Sequence, residues 1–364
     1  MDFLRYILYD LGFVCFLTLF FSMIILIGLK LTSNLKKKIC FSFSAIPIAL
    51  VIFELFTSLK TGSTNVNLSG SYNDNDTVTG EKQFLGYGPK EDTTFQVSLI
   101  KKENESLIFD VTYSFKNGLR TVSNNDTSNY HISLLGGSHI FGEGLNDNQT
   151  IAYYLNYFSD KSYNISNYGF NGYGTHQALN SIERSKEEDS VVIYYFITEH
   201  INRAAGKSIW DKNGPCYEFK NNKLIYTGSF NQSKLFQENY ISKRINIIWE
   251  NSHIYKTFFA NRYSEKNIFR VKEMIKKMNV ISKDSNTRFI VLIKKETTIG
   301  LTKKLEKYLF DPLKNSNIEC YFTNEIIKNL DTNPSDYRIL GDGHPNENHN
   351  KKIAKFLYNK ISKK

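Results

Sequence analysis

Two short loops, far apart in the chain, carry the residue types that acyl transfer requires. The first is Leu134-Leu135-Gly136-Gly137-Ser138-His139-Ile140-Phe141-Gly142-Glu143-Gly144, where an apolar run enters a glycine pair and then a serine. The second is Gly341-Asp342-Gly343-His344-Pro345-Asn346. A serine hydroxyl is a weak nucleophile at neutral pH and needs a base beside it. A histidine can accept its proton, and a carboxylate can hold the ring tautomer and stabilise the imidazolium that forms. Ser138, His344 and Asp342 are therefore the candidate nucleophile, base and orienting acid, with Asp336 a second carboxylate within the same stretch. Neither loop is specific alone. Gly-Gly-Ser fills many tight turns and lacks the Gly-x-Ser-x-Gly pattern of a nucleophile elbow, and Asp-Gly-His-Pro could simply lead into a helix capped by Asn346 or Asn348.

For these loops to meet, they must leave the same edge of one sheet. From residue 131 onward, strand-like runs (HISLLGG, SYNISNYG, SVVIYYFI, RFIVLIK, IECYFT) alternate with helix-like ones (TIAYYLNYF, THQALNSIERS, TKKLEKYLF). That alternation predicts a parallel sheet with crossover helices over residues 131–364. Open sheets of this kind bind ligands beyond the carboxyl ends of their strands. Ser138 follows the first strand, while Asp342 and His344 follow the short apolar stretch Tyr337–Leu340 and precede a last helix over Asn350–Lys360. Upstream, Thr94–Lys101 and Leu107–Phe115 are rich in β-branched and aromatic residues and predict a hairpin within a β-rich lead-in, 83–130. Residues 61–82 are rich in Ser, Thr, Asn and Gly and read as a linker. The helical middle, from Ile201 to Met278, contains Trp210 and Trp249, expected as core fillers.

The first sixty residues set the compartment. No charge occurs from Leu11 to Leu29, long enough for a helix to cross about 30 Å of hydrocarbon, and a second apolar run spans Ile39–Leu59 with Pro47 and Glu54 inside it. A cleaved leader is the competing reading of the first run, which begins after Arg5, but the run is long and no small-x-small cleavage site precedes the basic loop. That loop holds Lys30, Lys36, Lys37 and Lys38, so the positive-inside bias puts it in the cytoplasm. The expectation is a two-helix anchor, 1–60, in the cytoplasmic membrane, with everything beyond it facing the periplasm or the exterior. The net charge of +10 comes from scattered lysines, without aromatic interleaving, which argues against a nucleic-acid groove. Cys216 and Cys320 could pair outside the cytoplasm, although spacing alone does not settle it. No spacing of His, Cys or carboxylates points to a metal site, and no cofactor is expected.

The order Gly-Gly-Ser, then Asn167-Tyr168-Gly169-Phe170-Asn171-Gly172-Tyr173-Gly174, then Asp342-Gly343-His344-Pro345-Asn346 resembles the SGNH/GDSL hydrolases over roughly residues 130–360. The resemblance implies an α/β, flavodoxin-like three-layer sandwich with a parallel sheet. It implies Ser138 as nucleophile, Asp342 and His344 as its partners, and an oxyanion hole from the backbone N–H groups of Ser138 and Gly172. The family's asparagine donor is missing: the strand VVIYYF is followed by Ile197-Thr198-Glu199-His200-Ile201-Asn202-Arg203. Either His200 donates in its place or it is a structural histidine and the hole is one donor short. Gly137 stands where the family often has Asp, and Asp342 lies two residues before His344 rather than three. In an extended segment, residues two apart still share a face. Glu199 and Arg203 could pair locally or meet substrate, and His139, His176 and His349 read as structural. The resemblance implies a serine esterase acting on acyl esters of an envelope glycan or lipid. Two alternatives stand beside it: an O-acyltransferase served by a partner membrane protein, and a non-catalytic glycan-binding or assembly protein.

Overall fold

A computed structural model describes residues 12–60, 78–101, 106–123, 127–185, 188–208, 210–233, 249, 252, 254, 255, 263–295 and 299–362. Contacts divide the chain into two units, one comprising Met1–Val66 with Gln237–Arg262, the other Asn67–Phe236 with Tyr263–Lys364.

In the first unit, helices Gly12–Lys30 and Asn34–Lys60 run side by side, joined through residues 31–33. Both are long and apolar enough to cross a membrane. Leu19, Leu26, Leu29, Ile46 and Ile52 are exposed along them, an apolar outer surface that water would not tolerate at this scale. Their hydroxyls are satisfied internally: Thr18 donates to the Val14 and Cys15 carbonyls and Ser22 to that of Thr18. Backbone carbonyls are the only acceptors within reach on an apolar helix face.

The second unit is an α/β body built on twelve strands. They are β1 Thr79–Lys82, β2 Gly86–Pro89, β3 Thr94–Ile100, β4 Leu107–Lys116, β5 Leu119–Arg120, β6 His131–Gly136, β7 Asn164–Asn167, β8 Val191–Phe196, β9 Pro215–Lys220, β10 Lys223–Ser229, β11 Arg288–Ile293 and β12 Glu319–Phe322. Eight of them form one sheet in the order β12-β11-β8-β6-β7-β5-β4-β3. The five at the β12 end are parallel. Counted from β6, their order is 2-1-3-4-5, the flavodoxin-like arrangement, with its switch point at the carboxyl ends of β6 and its two neighbours.

The central strands are apolar throughout because both faces of the sheet are covered. Val192, Tyr194 and Phe196 of β8 face one layer, with helices Thr175–Arg184 and Glu265–Asp284 and the segment 299–315. Val191, Ile193 and Tyr195 face the other, with helices Ile151–Phe158 and Glu347–Ile361. Three layers result, as the resemblance implied.

The hairpin β3–β4, expected in a β-rich lead-in beside the main sheet, is present and joins that sheet through β5. Residues 61–77 of the expected linker lie outside the described residues, and its last part, from Thr79, is strand β1. The middle region contains a β9–β10 hairpin rather than helix alone, turning on Asn221 and Asn222, both at positive φ. Asparagine tolerates that conformation, which a two-residue hairpin turn demands. The last helix begins at Glu347 because Asn346 caps it, accepting from the His349 N–H at 3.1 Å. Cys216 and Cys320 are both free thiols, and burial pushes that of Cys320 up to about 12.

Candidate active site

The carboxyl end of β6 delivers Gly137 as the N-cap of a one-turn helix, Ser138–Phe141. At the first helical position the Ser138 N–H has no intrahelical acceptor and is available to an anion. Gly137 has to be small, because a Cβ there would stand 2.9 Å from the Tyr173 carbonyl oxygen. The turn is held from below by Arg120. Its Nη1 donates to the Phe141 and Gly142 carbonyls, both at 2.7 Å, its Nη2 donates to that of Leu145, and its Nε donates to Asp147 at 3.0 Å. Tyr113 and Phe141 close over the guanidinium, 4.5 and 4.7 Å from their ring centres.

Residues 339–344 form a tight turn rather than the extended segment expected. Its Asp342 and Gly343 N–H groups both bond the Ile339 carbonyl, and Gly343 sits at φ 88°. This left-handed step lets Asp342 fold back under its own neighbour: its Oδ2 accepts from the His344 backbone N–H at 3.2 Å and bonds His344 Nδ1 at 2.6 Å. A carboxylate only accepts, so Nδ1 carries the ring proton and Nε2 is left as an acceptor. His344 Nε2 lies 2.9 Å from Ser138 Oγ, and the hydroxyl donates to it. A spacing of two thus makes the same relay as a spacing of three, at the requirement of a glycine between. The partner of His344 Nδ1 is Asp342 and not Asp336, whose backbone carbonyl accepts from the Asn346 and Asn348 side chains.

On the other side of the serine lies the turn 170–174. Gly172 has φ 77°, and a Cβ on it would meet the Tyr87 hydroxyl at 2.5 Å and Trp210 Nε1 at 2.7 Å. Arg203 Nη1 donates to the Tyr173 carbonyl at 2.8 Å, fixing this turn against Gly137. His200 is fully buried, its Nε2 3.1 Å from the position a Gly137 Cβ would occupy. Its Nδ1 is 2.8 Å from the Tyr194 hydroxyl, while Nε2 is buried with no hydrogen-bond partner among the described residues. Burial, then the nearby Arg203 and His176, push its pKa well below the usual histidine range, so the ring is neutral.

Strand order, a serine just past β6 and an Asp-x-His turn before the last helix coincide in one unit. The α/β unit is a three-layer sandwich on a flavodoxin-like parallel sheet, the arrangement that the resemblance to SGNH/GDSL hydrolases implied. No family model and no curated protein matches the chain. Solved structures do. A G-D-S-L family lipolytic protein from Desulfitobacterium hafniense is 11% identical at TM-score 0.40, over 64% of this chain and 99% of that one. The psychrotrophic esterase EstA from Pseudoalteromonas is 14% identical at TM-score 0.35, over 65% and 98%. A catalytic mutant of Axe2, an acetylxylan esterase from Geobacillus stearothermophilus, is 11% identical at TM-score 0.37, over 65% and 96%.

Other residues fall differently from expectation. Trp210 is no core filler: it is 58% exposed beside Gly172. It walls a cleft of about 390 Å³ that Glu81, Tyr87, Lys212, Asn213 and Asn231 also line. Arg203, read as a local partner of Glu199 or a substrate contact, directs its guanidinium to the turn 170–174, with Glu199 among the charges that act on it. His176 is structural but not peripheral: its Nε2 lies 2.6 Å from Asp211 Oδ2, both side chains fully buried, and Gln177 donates to the same oxygen at 2.9 Å. This pair anchors the segment that carries Trp210. Nothing local in the sequence marks Asp211, whose histidine is 35 residues away. His139 and His349 are buried behind the catalytic turn, His139 with its ring 5.8 Å from that of His344. Among the described residues no cluster could hold a metal ion.

Proposed function

We propose that this chain is a serine esterase, anchored in the cytoplasmic membrane by its two N-terminal helices, that hydrolyses O-acyl esters of an envelope glycan or lipid on the extracytoplasmic side. The observation that carries the reading is the unbroken Ser138–His344–Asp342 hydrogen-bond relay at the sheet's switch point. Ser138 Oγ attacks the ester carbonyl as its proton passes to His344 Nε2. The tetrahedral oxyanion is met by the N–H groups of Ser138 and Gly172 and by His200 Nε2–H, a tautomer that the Tyr194 hydroxyl stabilises by donating to Nδ1. Collapse breaks the C–O bond, and His344 returns the proton to the departing alcohol. Water, deprotonated by His344, then cleaves the acyl-Ser138 ester. His200 in place of an asparagine keeps the number of donors, and one such donor is worth about 10²–10³ in rate.

The polar cleft beside Gly172, with its exposed indole and amide side chains, offers the stacking and hydrogen-bonding chemistry that a sugar ring uses. Attraction of lysines to anionic glycan or headgroups acts in the same direction. Full-length protein in detergent should hydrolyse p-nitrophenyl acetate, and Ser138→Ala should lower kcat at least a thousandfold; equal rates for the two would remove the esterase reading and leave the non-catalytic alternative. Replacing water by a sugar hydroxyl in the second step would give acyl transfer. Adding soluble oligosaccharide and measuring acylated product against free acid separates the two outcomes.

A further inference from the structure

The helical pair is not alone in its unit. Ile254, about two hundred positions along the chain, donates its backbone N–H to Glu54 Oε2 at 2.9 Å. Glu54 is only 1% exposed, although it lies on an otherwise apolar helix. Ile254 packs with Phe13, Leu17, Leu50 and Val51, and the Trp249 ring lies 5.4 Å from that of Phe13, tilted at 60°. Within this element, Trp249 and Tyr255 are in ring contact at 5.8 Å, and the buried Ser252 Oγ accepts from the Tyr255 N–H at 3.0 Å.

The level of this contact is fixed by the helices. Phe13 and Leu17 lie in the first turns of one helix and Leu50–Glu54 in the last turns of the other, so both sets mark the same end of an antiparallel pair. Six residues separate Glu54 from Lys60, about 9 Å at the helical rise. That is the depth at which tryptophan and tyrosine concentrate between headgroups and acyl chains. A backbone N–H brought there needs an acceptor, and a carboxylate there needs a donor. Each supplies the other.

Resting on the two-helix anchor proposed above, we propose that Trp249, Ser252, Ile254 and Tyr255 mark a third membrane-inserted element. They lie at the extracytoplasmic lipid interface, with Glu54 as their receptor and the headgroup–acyl boundary of the bilayer as their partner surface. In sequence, this element lies between Phe236 and Tyr263 of the α/β unit.

With two tryptophans in the chain, Trp210→Phe leaves Trp249 as the sole reporter. Full-length W210F in phosphatidylcholine vesicles should lose at least half its fluorescence when the acyl chains are brominated, more with bromine near the headgroup than near the bilayer centre. Glu54→Leu should reduce that quenching at least twofold, and Glu54→Gln, which keeps an acceptor, should retain it. A control chain, W210F/W249F with Phe20→Trp in the middle of the first helix, reports the anchor itself, also in the E54L background. Unquenched Trp249 beside a quenched residue 20 overturns the inference alone; if neither is quenched, the anchor falls and the inference with it.

Discussion

Gly343 is the residue on which the turn of Asp342 and His344 depends most directly. Its φ of 88° lets Asp342 reach both the backbone and the ring of His344. Open space surrounds it, since a Cβ there would meet nothing within 4 Å. Gly343→Ala therefore tests conformation without a clash. The left-handed step costs a non-glycine residue about 1–2 kcal/mol, and relief of that strain swings the carboxylate away from Nδ1. The expected outcome is a fall in kcat with KM little changed, alongside a loss of about 1 kcal/mol in urea denaturation. Unchanged kcat would show that a spacing of two does not need the glycine. Both catalytic loops were legible in the sequence because each is a glycine-bracketed polar residue between an apolar run and a helix. The means by which Asp342 reaches its histidine was not legible: an extended segment and a tight turn are both compatible with Asp-Gly-His.

At the scale of elements, a two-residue strand does unexpected duty. β5 contributes Arg120, buried beneath the helix that begins at Ser138 and bonded to the Phe141, Gly142 and Leu145 carbonyls and to Asp147. Burial lowers the pKa of this guanidinium, opposed by Asp147, yet no reachable pH neutralises an arginine. Removing one partner of a buried charged network costs about 3–5 kcal/mol. Arg120→Leu should therefore lose that much stability in urea titration, with a proportionate drop in Tm. A loss under 1 kcal/mol would mean that water replaces the guanidinium under the loop. The hairpin β3–β4 could be read from its β-branched runs as a lead-in to the main sheet, but not that β5 makes the join. Pairing partners in a sheet lie far apart in sequence, and β5, the link, is too short to have a pattern.

For the whole molecule, three buried histidines make stability depend on acidity. Burial, with smaller contributions from neighbouring cations, holds His139 and His200 well below the usual histidine range and His349 at about 4. In the unfolded chain each titrates near 6.5. Below that pH the unfolded state takes up protons that the folded state refuses, so stability fully present above about 6.5 is lost as pH falls toward 4. Three such rings together amount to about 3–4 kcal/mol per pH unit between pH 6 and pH 5. Urea midpoints should fall steeply over that interval and stay flat from pH 7 to 8; a flat profile down to pH 5 would place these rings in water. The helix–strand alternation made the layered core legible at this scale. The return of Trp249 and Ile254 to the apolar helices was not, because an apolar side chain states that it will be buried without stating against what.

The two free thiols of the α/β unit, one on β9 and one on β12, bear on how such a protein matures. A domain whose Cys216 and Cys320 stay unpaired can reach its final form without an oxidase or isomerase and survives a reducing milieu. Tm in dithiothreitol should accordingly match Tm without it, and a strain lacking its thiol-oxidising machinery should accumulate the folded protein at the ordinary level.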